Sequence, residues 1–307
     1  MPSRPMLPNG ISVLERGWLS SNSILMVGRD SAALIDSGYG LHADQTLLLI
    51  QSTLQGRPLD VLLNTHLHSD HCGGNAALQN AFPKLLTHIP PGLSLHVQDW
   101  DPHALTYSPT GQSCPRFGFD AVLRPGTEIQ LGDRLWQIHA APGHDTHSVI
   151  LFEPESRVLV SADALWERGF GVVFPELEGD DAFAAVSDTL DLIESLRPVI
   201  VIPGHGSAFT CVDQSLAFAR QRLSGFVANP IKHLTYGARV LLKFKLLEAQ
   251  SIALTDFMAW TAATPYLPMI HASHFSAIEF APWIEQLIQD LVRSGAASRQ
   301  GADLRNA

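Results

Sequence analysis

The chain has 307 residues, of which 46% are hydrophobic and 16% charged, so it has the composition of a globular protein that can bury a large core. It has no run of about 18 apolar residues and its start, MPSRPMLPNG, lacks an apolar signal core, so we expect no membrane span, no secretion signal and a cytoplasmic location. The formal net charge of −10 argues against a broad nucleic-acid-binding surface, and three cysteines are too sparse a set for a disulfide framework.

The first part of the chain alternates strand and helix patterns. ISVLERGWL and SNSILMVGRDSAALIDSG predict paired strands with a turn at Gly28 to Asp30. LHADQTLLLIQSTLQ has the apolar spacing of an amphipathic helix. The apolar run DVLLNT, from Asp60 to Thr65, then predicts a buried strand.

Directly after this strand, the segment NTHLHSDHCGG brings three histidines and an aspartate close together: His66, His68, Asp70 and His71. Imidazole and carboxylate are ligands that zinc, iron and manganese accept. A histidine-rich surface loop is the alternative, but this spacing after a buried strand favours a metal site. Because a strand-end loop supplies only part of a coordination shell, we expect further ligands elsewhere in the chain.

Three ligand-type residues follow apolar strand patterns later in the chain. His144 lies in APGHDTHS after the strand RLWQIHA, Asp163 ends RVLVSAD, and His205 lies in VIVIPGHG. Each stands at the C-terminal end of a predicted strand, beside Gly or Pro. One edge of a sheet can therefore carry all of them together with the HLHSDH segment.

Two stretches are candidates for substrate binding. Residues 90–120 are rich in Pro, Gly and aromatic residues and have weak periodicity, which is typical of a lid over a site. LWERGFGVVFPELEG follows Asp163 in the chain. The alternatives are that the aromatic residues anchor loops to the core and that the arginine forms a plain salt bridge. The candidate residues are Trp100, Tyr107, Phe117, Arg168 and Phe170.

After Gly206 the pattern becomes helical. CVDQSLAFARQRLSGFVA, ARVLLKFKLLEAQ and APWIEQLIQDLVRSG all carry apolar residues at helical spacing. The basic stretch from Lys232 to Lys245 is interpreted as the solvated edge of a helix rather than as a phosphate-binding patch. His271 and His274, near the end of the chain, are interpreted as substrate-side or structural residues.

HLHSDH, the later PGH, the SAD aspartate and the final PGHG resemble, in this order, the metallo-β-lactamase superfamily over about the first two thirds of the chain. The resemblance implies an α/β fold, an αββα sandwich with two metal ions at one sheet edge and a helical, winged-helix-like appendage. It places a metallo-β-lactamase-fold catalytic domain at residues 1–210 and a helical C-terminal domain at residues 211–307.

The resemblance also implies a complete ligand set for the two ions. His66, His68 and His144 would hold the first ion, Asp70, His71 and His205 the second, and Asp163 both. In the family a hydroxide bridges the two ions, and Asp70 is the candidate to carry a proton to the leaving group. With Asp163 as the bridge, the chain resembles the glyoxalase II, lactonase and phosphodiesterase branches, so antibiotic hydrolysis is not expected.

Two further residues near this set have open roles. Asp36 closes the strand pattern LIDSG, where it is either a turn cap or a carboxylate that orients a ligand histidine. His147 follows His144 by three positions, and because the implied set is complete we expect it to form hydrogen bonds outside the coordination shell.

The resulting prediction is a dinuclear hydrolase of a small ester, thioester or lactone with two divalent ions, zinc being favoured over iron or manganese. The alternatives are a mononuclear iron enzyme of the persulfide dioxygenase kind, a phosphodiesterase or nuclease of the same superfamily, and a non-catalytic module. No counterpart is found of the basic C-terminal motif of glyoxalase II, which argues against glutathione thioesters. The expected partner is a small-molecule substrate, with no membrane or nucleic acid, and the appendage leaves a homodimer open.

Overall fold

The computed structural model describes residues 5–307, in which two β-sheets pack face to face between layers of helices. This arrangement is the predicted αββα sandwich. The first sheet has six strands in sequence order, and strands three to six run parallel. They are β1 (Ile11–Leu14), β2 (Ser23–Val27), β3 (Ala32–Ile35), β4 (Val61–Leu63), β5 (Leu86–Ile89) and β6 (Ala121–Val122).

The second sheet has five strands in the reverse order, β11-β10-β9-β8-β7. Only the pair formed by its last two strands in the chain is parallel. The strands are β7 (Glu128–Leu131), β8 (Arg134–Ala140), β9 (Val149–Glu153), β10 (Val158–Ala162) and β11 (Ile200–Pro203).

The helices of the first two thirds of the chain cover the outer faces of the sheets or lie in the loops between strands. They are α1 (Ala43–Leu54), α2 (Ser69–Cys72), α3 (Asn75–Ala81), α4 (Ser94–Asp99), α5 (Tyr107–Thr110), α6 (Phe174–Glu178) and α7 (Phe183–Leu196).

The strands are apolar on both sides because both faces of each sheet are covered. On β2, Ile24 and Met26 belong to the cluster between the sheets, whereas Leu25 packs with Ile50 of α1 and Leu78 of α3. Burying a side chain of this size stabilises the fold by roughly 1.5–3 kcal/mol. The core therefore fixes the register of the strands, and the strand register fixes the loops at their ends.

The C-terminal region contains the predicted helices and also a small sheet. It runs through α8 (Val212–Ala228), α9 (Pro230–Ala249), β12 (Ser251–Ala253), α10 (Leu254–Ala263), α11 (Tyr266–His274), α12 (Phe280–Arg293), β13 (Ala297–Gln300) and β14 (Asp303–Asn306). The strand order β12-β14-β13 and the helices between the strands are those of a winged-helix-like unit.

The C-terminal region shares an apolar cluster with the sandwich. Val172 and Leu177 pack among buried side chains of α9, α11 and α12. The proposed division of the chain at residue 210 stays a prediction. Within residues 5–307, no helix combines the length and the apolar character needed to cross a membrane.

Candidate metal centre

The HLHSDH segment is held between the two sheets. The Asn64 amide donates to the His88 carbonyl of β5 at 3.0 Å, and the Thr65 carbonyl accepts from Val149 of β9 at 2.8 Å. The chain then enters the single turn of α2, which carries Asp70 and His71. Hydrogen bonds to both sheets thus fix the loop that presents four ligand-type side chains.

A bulge in β10 aims Asp163 at the same edge. The pairing of β10 with β11 shifts register between Val160 and Ala162, and Ala162 has a φ of 45°, which is unusual for a residue with a Cβ. Gly204 follows β11 against this bend. A Cβ there would lie 2.2 Å from Asp163 Oδ1, so only glycine leaves room for the carboxylate.

The seven ligand-type side chains predicted from the sequence converge in three overlapping groups. In each group, one ligand atom per residue lies within 4.8 Å of the others. The groups are His66, His68 and His144; Asp70, His71 and His205; and His66, His71 and Asp163.

Asp163 lies between the first two of these groups. Its Oδ1 is 3.6 Å from His71 Nε2, and its Oδ2 is 3.4 Å from His144 Nε2 and 3.8 Å from His205 Nε2. On one side of it, His144 Nε2 is 2.9 Å from His68 Nδ1 and 3.3 Å from His66 Nε2. On the other side, His205 Nε2 is 3.1 Å from Asp70 Oδ2.

The outer nitrogens of three of the histidines have partners that set their tautomers. His144 Nδ1 donates to the Val172 carbonyl at 2.5 Å, and His71 Nδ1 donates to Asp36 Oδ2 at 2.8 Å. The Thr65 hydroxyl donates to Asp36 at 2.8 Å and faces His66 Nδ1 at 3.2 Å. The Nε2 lone pairs of all three imidazoles are therefore free to point inward.

This donor set fits metal ions. His71 Nε2 is buried and has no hydrogen-bond partner in the described part of the chain, although two carboxylates face it. Inward lone pairs and carboxylate oxygens repel one another unless a positive charge lies between them. Imidazole and carboxylate donors at these positions match what zinc or iron would require.

The electrostatics also keep the first group of histidines neutral. Burial lowers the pKa of His66 well below its usual value, and it lowers those of His68 and His144 to about 4. Since metal ligands must be deprotonated, these imidazoles are ready to coordinate at neutral pH.

The pKa of His71 is shifted in the opposite direction. Burial alone would lower its pKa, but Asp36, Asp163 and Asp70 together raise it well above the usual value. The pKa of Asp163 is held well below its usual value, because nearby histidines outweigh the effect of burial. The cluster thus attracts positive charge, which a proton or a metal ion can supply.

Asp36 holds a ligand-type histidine and the strand end rather than only capping a turn. It has a φ of 57°, and its Oδ1 accepts from the Thr65 amide at 2.9 Å while Oδ2 holds His71. His147 lies outside the ligand groups and packs against Gly92, where a Cβ would lie 2.3 Å from its Nδ1. Ser148 Oγ donates to Ala141 and does not reach the centre.

A cavity of about 90 Å³ opens above the cluster. Its walls are largely apolar and come from the loop after β1, the predicted lid and the stretch after Asp163, with α9 closing one side. Besides the ligand residues, they include Trp18, Thr106, Thr110, Gln112, Trp166, Phe174, Tyr236, Val240, Leu241 and Phe244.

None of the five predicted substrate-binding residues lines this cavity. Trp100, Tyr107 and Phe117 form an aromatic cluster beneath the lid loop. Phe170 is 1% exposed in the core of the second sheet. Arg168 is exposed and lies over the Phe218 ring, 5.8 Å from its centroid. The aromatic residues anchor loops to the core, which was the alternative interpretation.

Residues 232–245 are helical, as predicted, and Lys232 is exposed, but the stretch is not merely a solvated edge, because another face of the helix lines the cavity. Tyr236, Val240 and Phe244 are four residues apart, so they share the face of α9 that looks into the cavity. This spacing is visible in the sequence and could have identified the wall. Trp18 had no such signal, because it lies in an irregular loop.

The last two histidines lie away from the centre. His271 Nε2 contacts the Ile278 carbonyl at 2.7 Å and its ring packs against Phe280 and Trp283, so its role is structural. His274 is exposed at the end of α11.

Comparisons with known proteins show related sequences. The model of the metallo-beta-lactamase superfamily matches residues 16–205. The human acyl-coenzyme A thioesterase MBLAC2 is 26% identical over 221 residues, which cover 64% of this chain and 78% of that protein. A hydroxyacylglutathione hydrolase from Brucella anthropi is 25% identical over 175 residues, which cover 57% of this chain and 55% of that protein.

Solved structures show the same fold. A metallo-beta-lactamase family protein from Thermus thermophilus aligns with a TM-score of 0.59 at 16% identity, over 98% of this chain and 100% of that one. TTHA1623, solved in a di-iron-bound form, aligns with a TM-score of 0.52 at 26% identity, over 68% of this chain and 98% of that one.

Proposed function

The chain belongs to the metallo-β-lactamase superfamily and is a hydrolase, and from this premise we propose that it cleaves small acyl thioesters at a dinuclear metal centre. The observation that carries the dinuclear part is the position of Asp163, whose two oxygens face histidines of both ligand groups. The thioester part is supported by relatives named for acyl derivatives of two thiols, coenzyme A and glutathione.

The proposed ligands follow from the three groups. His66, His68 and His144 would hold one ion, Asp70, His71 and His205 the other, and Asp163 both. We propose zinc, because these imidazole and carboxylate donors suit it, while the di-iron relative makes iron the competing metal. Two divalent ions bound here would lower the pKa of water toward neutrality and polarise the thioester carbonyl.

Asp70 is placed to move a proton. It lines the cavity, its side chain is 14% exposed, and its Oδ2 faces His205. Burial would raise its pKa, but His71 and His205 lower it, so the carboxylate is ionised and can accept a proton. In the proposed reaction Asp70 takes a proton from the attacking water and delivers it to the departing sulfur.

The cavity restricts the acyl group. Most small-molecule sites have volumes of about 300–1,000 Å³, whereas this one has about 90 Å³. The reacting carbonyl and a short acyl chain fit this space, and a long chain needs the wall of α9 to be smaller. We therefore propose short-chain acyl thioesters as substrates.

The test combines metal counting with a thioester assay. Protein purified without added metal is analysed by elemental mass spectrometry, and hydrolysis of butanoyl thioesters is followed by release of the free thiol. We expect about two zinc ions per chain, loss of activity in Asp163→Asn, and a reduced kcat in Asp70→Asn even when that variant is assayed with saturating zinc. Lys84→Ala, an exposed change outside the cavity, is the control.

Two outcomes would contradict the proposal. If the metal-loaded protein hydrolyses no acyl thioester, the proposed thioesterase activity is wrong. One iron ion per chain with oxygen uptake on persulfides would instead support the mononuclear dioxygenase interpretation.

A further inference from the structure

The helix that closes the cavity is basic in an acidic protein. The chain has a formal net charge of −10, yet α9 carries four cationic side chains against the single carboxylate of Glu248. The cations are Lys232, Arg239, Lys243 and Lys245. Lys243 donates to the carbonyls of Ala296 and Ala307, and Lys245 pairs with Glu248 at 2.6 Å, so these two are already engaged.

The remaining two cations of α9 line a separate surface groove with Arg222 of α8. The groove has a volume of about 590 Å³. It is lined by Arg222, Phe226, Ile231, Lys232, Thr235, Tyr236 and Arg239.

Two of the three cations in this groove are unpaired. Within residues 5–307, neither the Arg222 nor the Lys232 side chain has a carboxylate oxygen within 4.0 Å or donates a hydrogen bond. Arg239 is 3.7 Å from Asp290 Oδ2. Unpaired cations in one concave surface are an attractive site for an anion.

The Arg222 guanidinium is held in place by aromatic rings. It lies 4.4 Å from the centroid of Tyr236 and 5.4 Å from those of Phe170 and Phe226. Its Nε is buried and has no hydrogen-bond partner among the described residues. A planar fork fixed in this way binds oxyanions with little loss of conformational freedom.

The groove adjoins the metal cavity. Tyr236 lines both spaces. Protein contacts also link the two: a Cβ at Gly169 would lie 2.9 Å from Arg222 Nη1, and the Gly169 carbonyl accepts from the amide of Trp166, which lines the cavity. An extended ligand that reaches from one space to the other would have to pass Tyr236.

Resting on the proposed thioesterase activity, we propose that this groove binds the phosphate groups of the thiol carrier. The substrate is then a short-chain acyl thioester of a phosphorylated carrier such as coenzyme A. Its acyl group enters the cavity, its chain passes Tyr236, and its phosphates bind Arg222 and Lys232. Phosphate oxygens suit a guanidinium fork and an ammonium group side by side.

The test compares carriers that share one reacting end. Butanoyl-coenzyme A carries phosphates, butanoyl-glutathione carries carboxylates, and butanoyl-pantetheine carries neither. In the wild type we expect kcat/KM for the coenzyme A thioester to exceed that for the pantetheine thioester by at least about tenfold, mainly through KM. Lys232→Ala and Arg222→Met should each reduce this ratio several-fold.

Controls separate binding from folding and from overall charge. Lys84→Ala removes one exposed positive charge that does not line the groove and should leave the ratio unchanged. Arg222 packs on three rings, so a melting curve checks whether Arg222→Met folds. If it does not fold, the phosphate site is tested by Lys232→Ala alone, because Lys232 is exposed.

The outcomes distinguish the two proposals. If pantetheine or glutathione thioesters are cleaved as well as the coenzyme A thioester, the phosphate site is overturned while the thioesterase stands. If no thioester is cleaved, calorimetric titration with free coenzyme A tests whether the groove binds phosphate groups. Binding that weakens about tenfold in Lys232→Ala supports the site, and absent or unchanged binding overturns it.

Discussion

At the scale of single residues, the chemistry of the centre depends on side chains that do not belong to the ligand groups. Asp36 is the main example, because it fixes His71 and the Thr65 hydroxyl at once. The sequence left two roles open for it. The left-handed backbone of Asp36 and the direction of its side chain are set by the pairing of neighbouring strands, which no local sequence pattern reveals.

We expect Asp36→Asn to lower the metal affinity about 10–100-fold, because the amide can no longer hold the His71 imidazole as a charged acceptor does. Competition with a chelating dye measures the affinity. Asp60→Asn is the matched control, since Asp60 also accepts an amide hydrogen bond at a strand, from Ala32. Equal metal affinity in both variants would show that Asp36 has no orienting role.

His233 makes the stability of the protein depend on pH. It is 1% exposed, and its Nε2 accepts from the Val173 amide at 3.0 Å. Burial, followed by the charge of Arg222, lowers its pKa from 6.5 to about 4. As the pH falls, the unfolded chain therefore takes up a proton first. The stabilising contribution is complete above about pH 6.5 and is lost between there and about pH 4.

This loss amounts to about 3 kcal/mol for a shift of this size. The expected result is a smaller drop in the free energy of unfolding between pH 7 and pH 5 for His233→Gln than for the wild type. Urea denaturation of both proteins in the presence of chelator measures the difference, since metal release is then common to both. Parallel pH profiles would exclude His233 as the source.

At the scale of elements, α9 is the helix whose role differs most from the sequence interpretation. Its charges suggested a solvated edge, but its cavity face is formed by residues at i, i+4 and i+8. Strand and helix patterns in the sandwich were easier to interpret, because β4, β10 and β11 are buried apolar runs that are followed by ligand-type residues. Which helix covers the open edge depends on tertiary packing.

If α9 limits the acyl chain, Phe244→Ala should shift the preference toward longer chains. We expect kcat/KM for an octanoyl thioester relative to a butanoyl thioester to rise at least about tenfold, because a methylene fitting a pocket contributes about 1–3 kcal/mol. A chain-length series on one carrier measures this. Phe218→Ala, an exposed aromatic on α8 outside the cavity, should leave the series unchanged.

The lid loop shows the limit of interpreting composition. Its aromatic residues pack inward on Leu67 and Ile89, while its polar residues Thr106, Thr110 and Gln112 reach the cavity. Composition predicted a functional loop. It could not predict which side chains face which way, because the loop has no period that assigns its faces.

At the scale of the molecule, the metal centre joins the two sheets. His66 follows β4 of the first sheet, whereas Asp163 and His205 follow β10 and β11 of the second. The αββα order and the convergence of the seven ligand-type side chains could be predicted from the sequence, since strand ends and residue spacing are local. The winged-helix-like sheet was expected only in outline, because β12, β13 and β14 are short and partly exposed.

Metal removal should therefore destabilise the sandwich as a whole. At free metal about a thousand times the dissociation constant, binding stabilises the folded state by about 4 kcal/mol. We expect a lower melting temperature after treatment with chelator and recovery when zinc is restored, followed by calorimetry. Asp163→Asn should show a smaller difference. An unchanged melting temperature in the wild type would mean that metal binding does not stabilise the fold.

The placement of two indoles gives the centre an optical signature. The Trp18 ring stacks on His205 with centroids 5.2 Å apart, and Trp166 donates its Nε1 hydrogen to Asp163 at 3.1 Å. Both fluorophores therefore contact residues whose charge and orientation depend on the occupant of the site. We therefore expect loading and stripping of the centre to change the surroundings of these two tryptophans, so that the native emission of the chain reports on its own cofactor without any label.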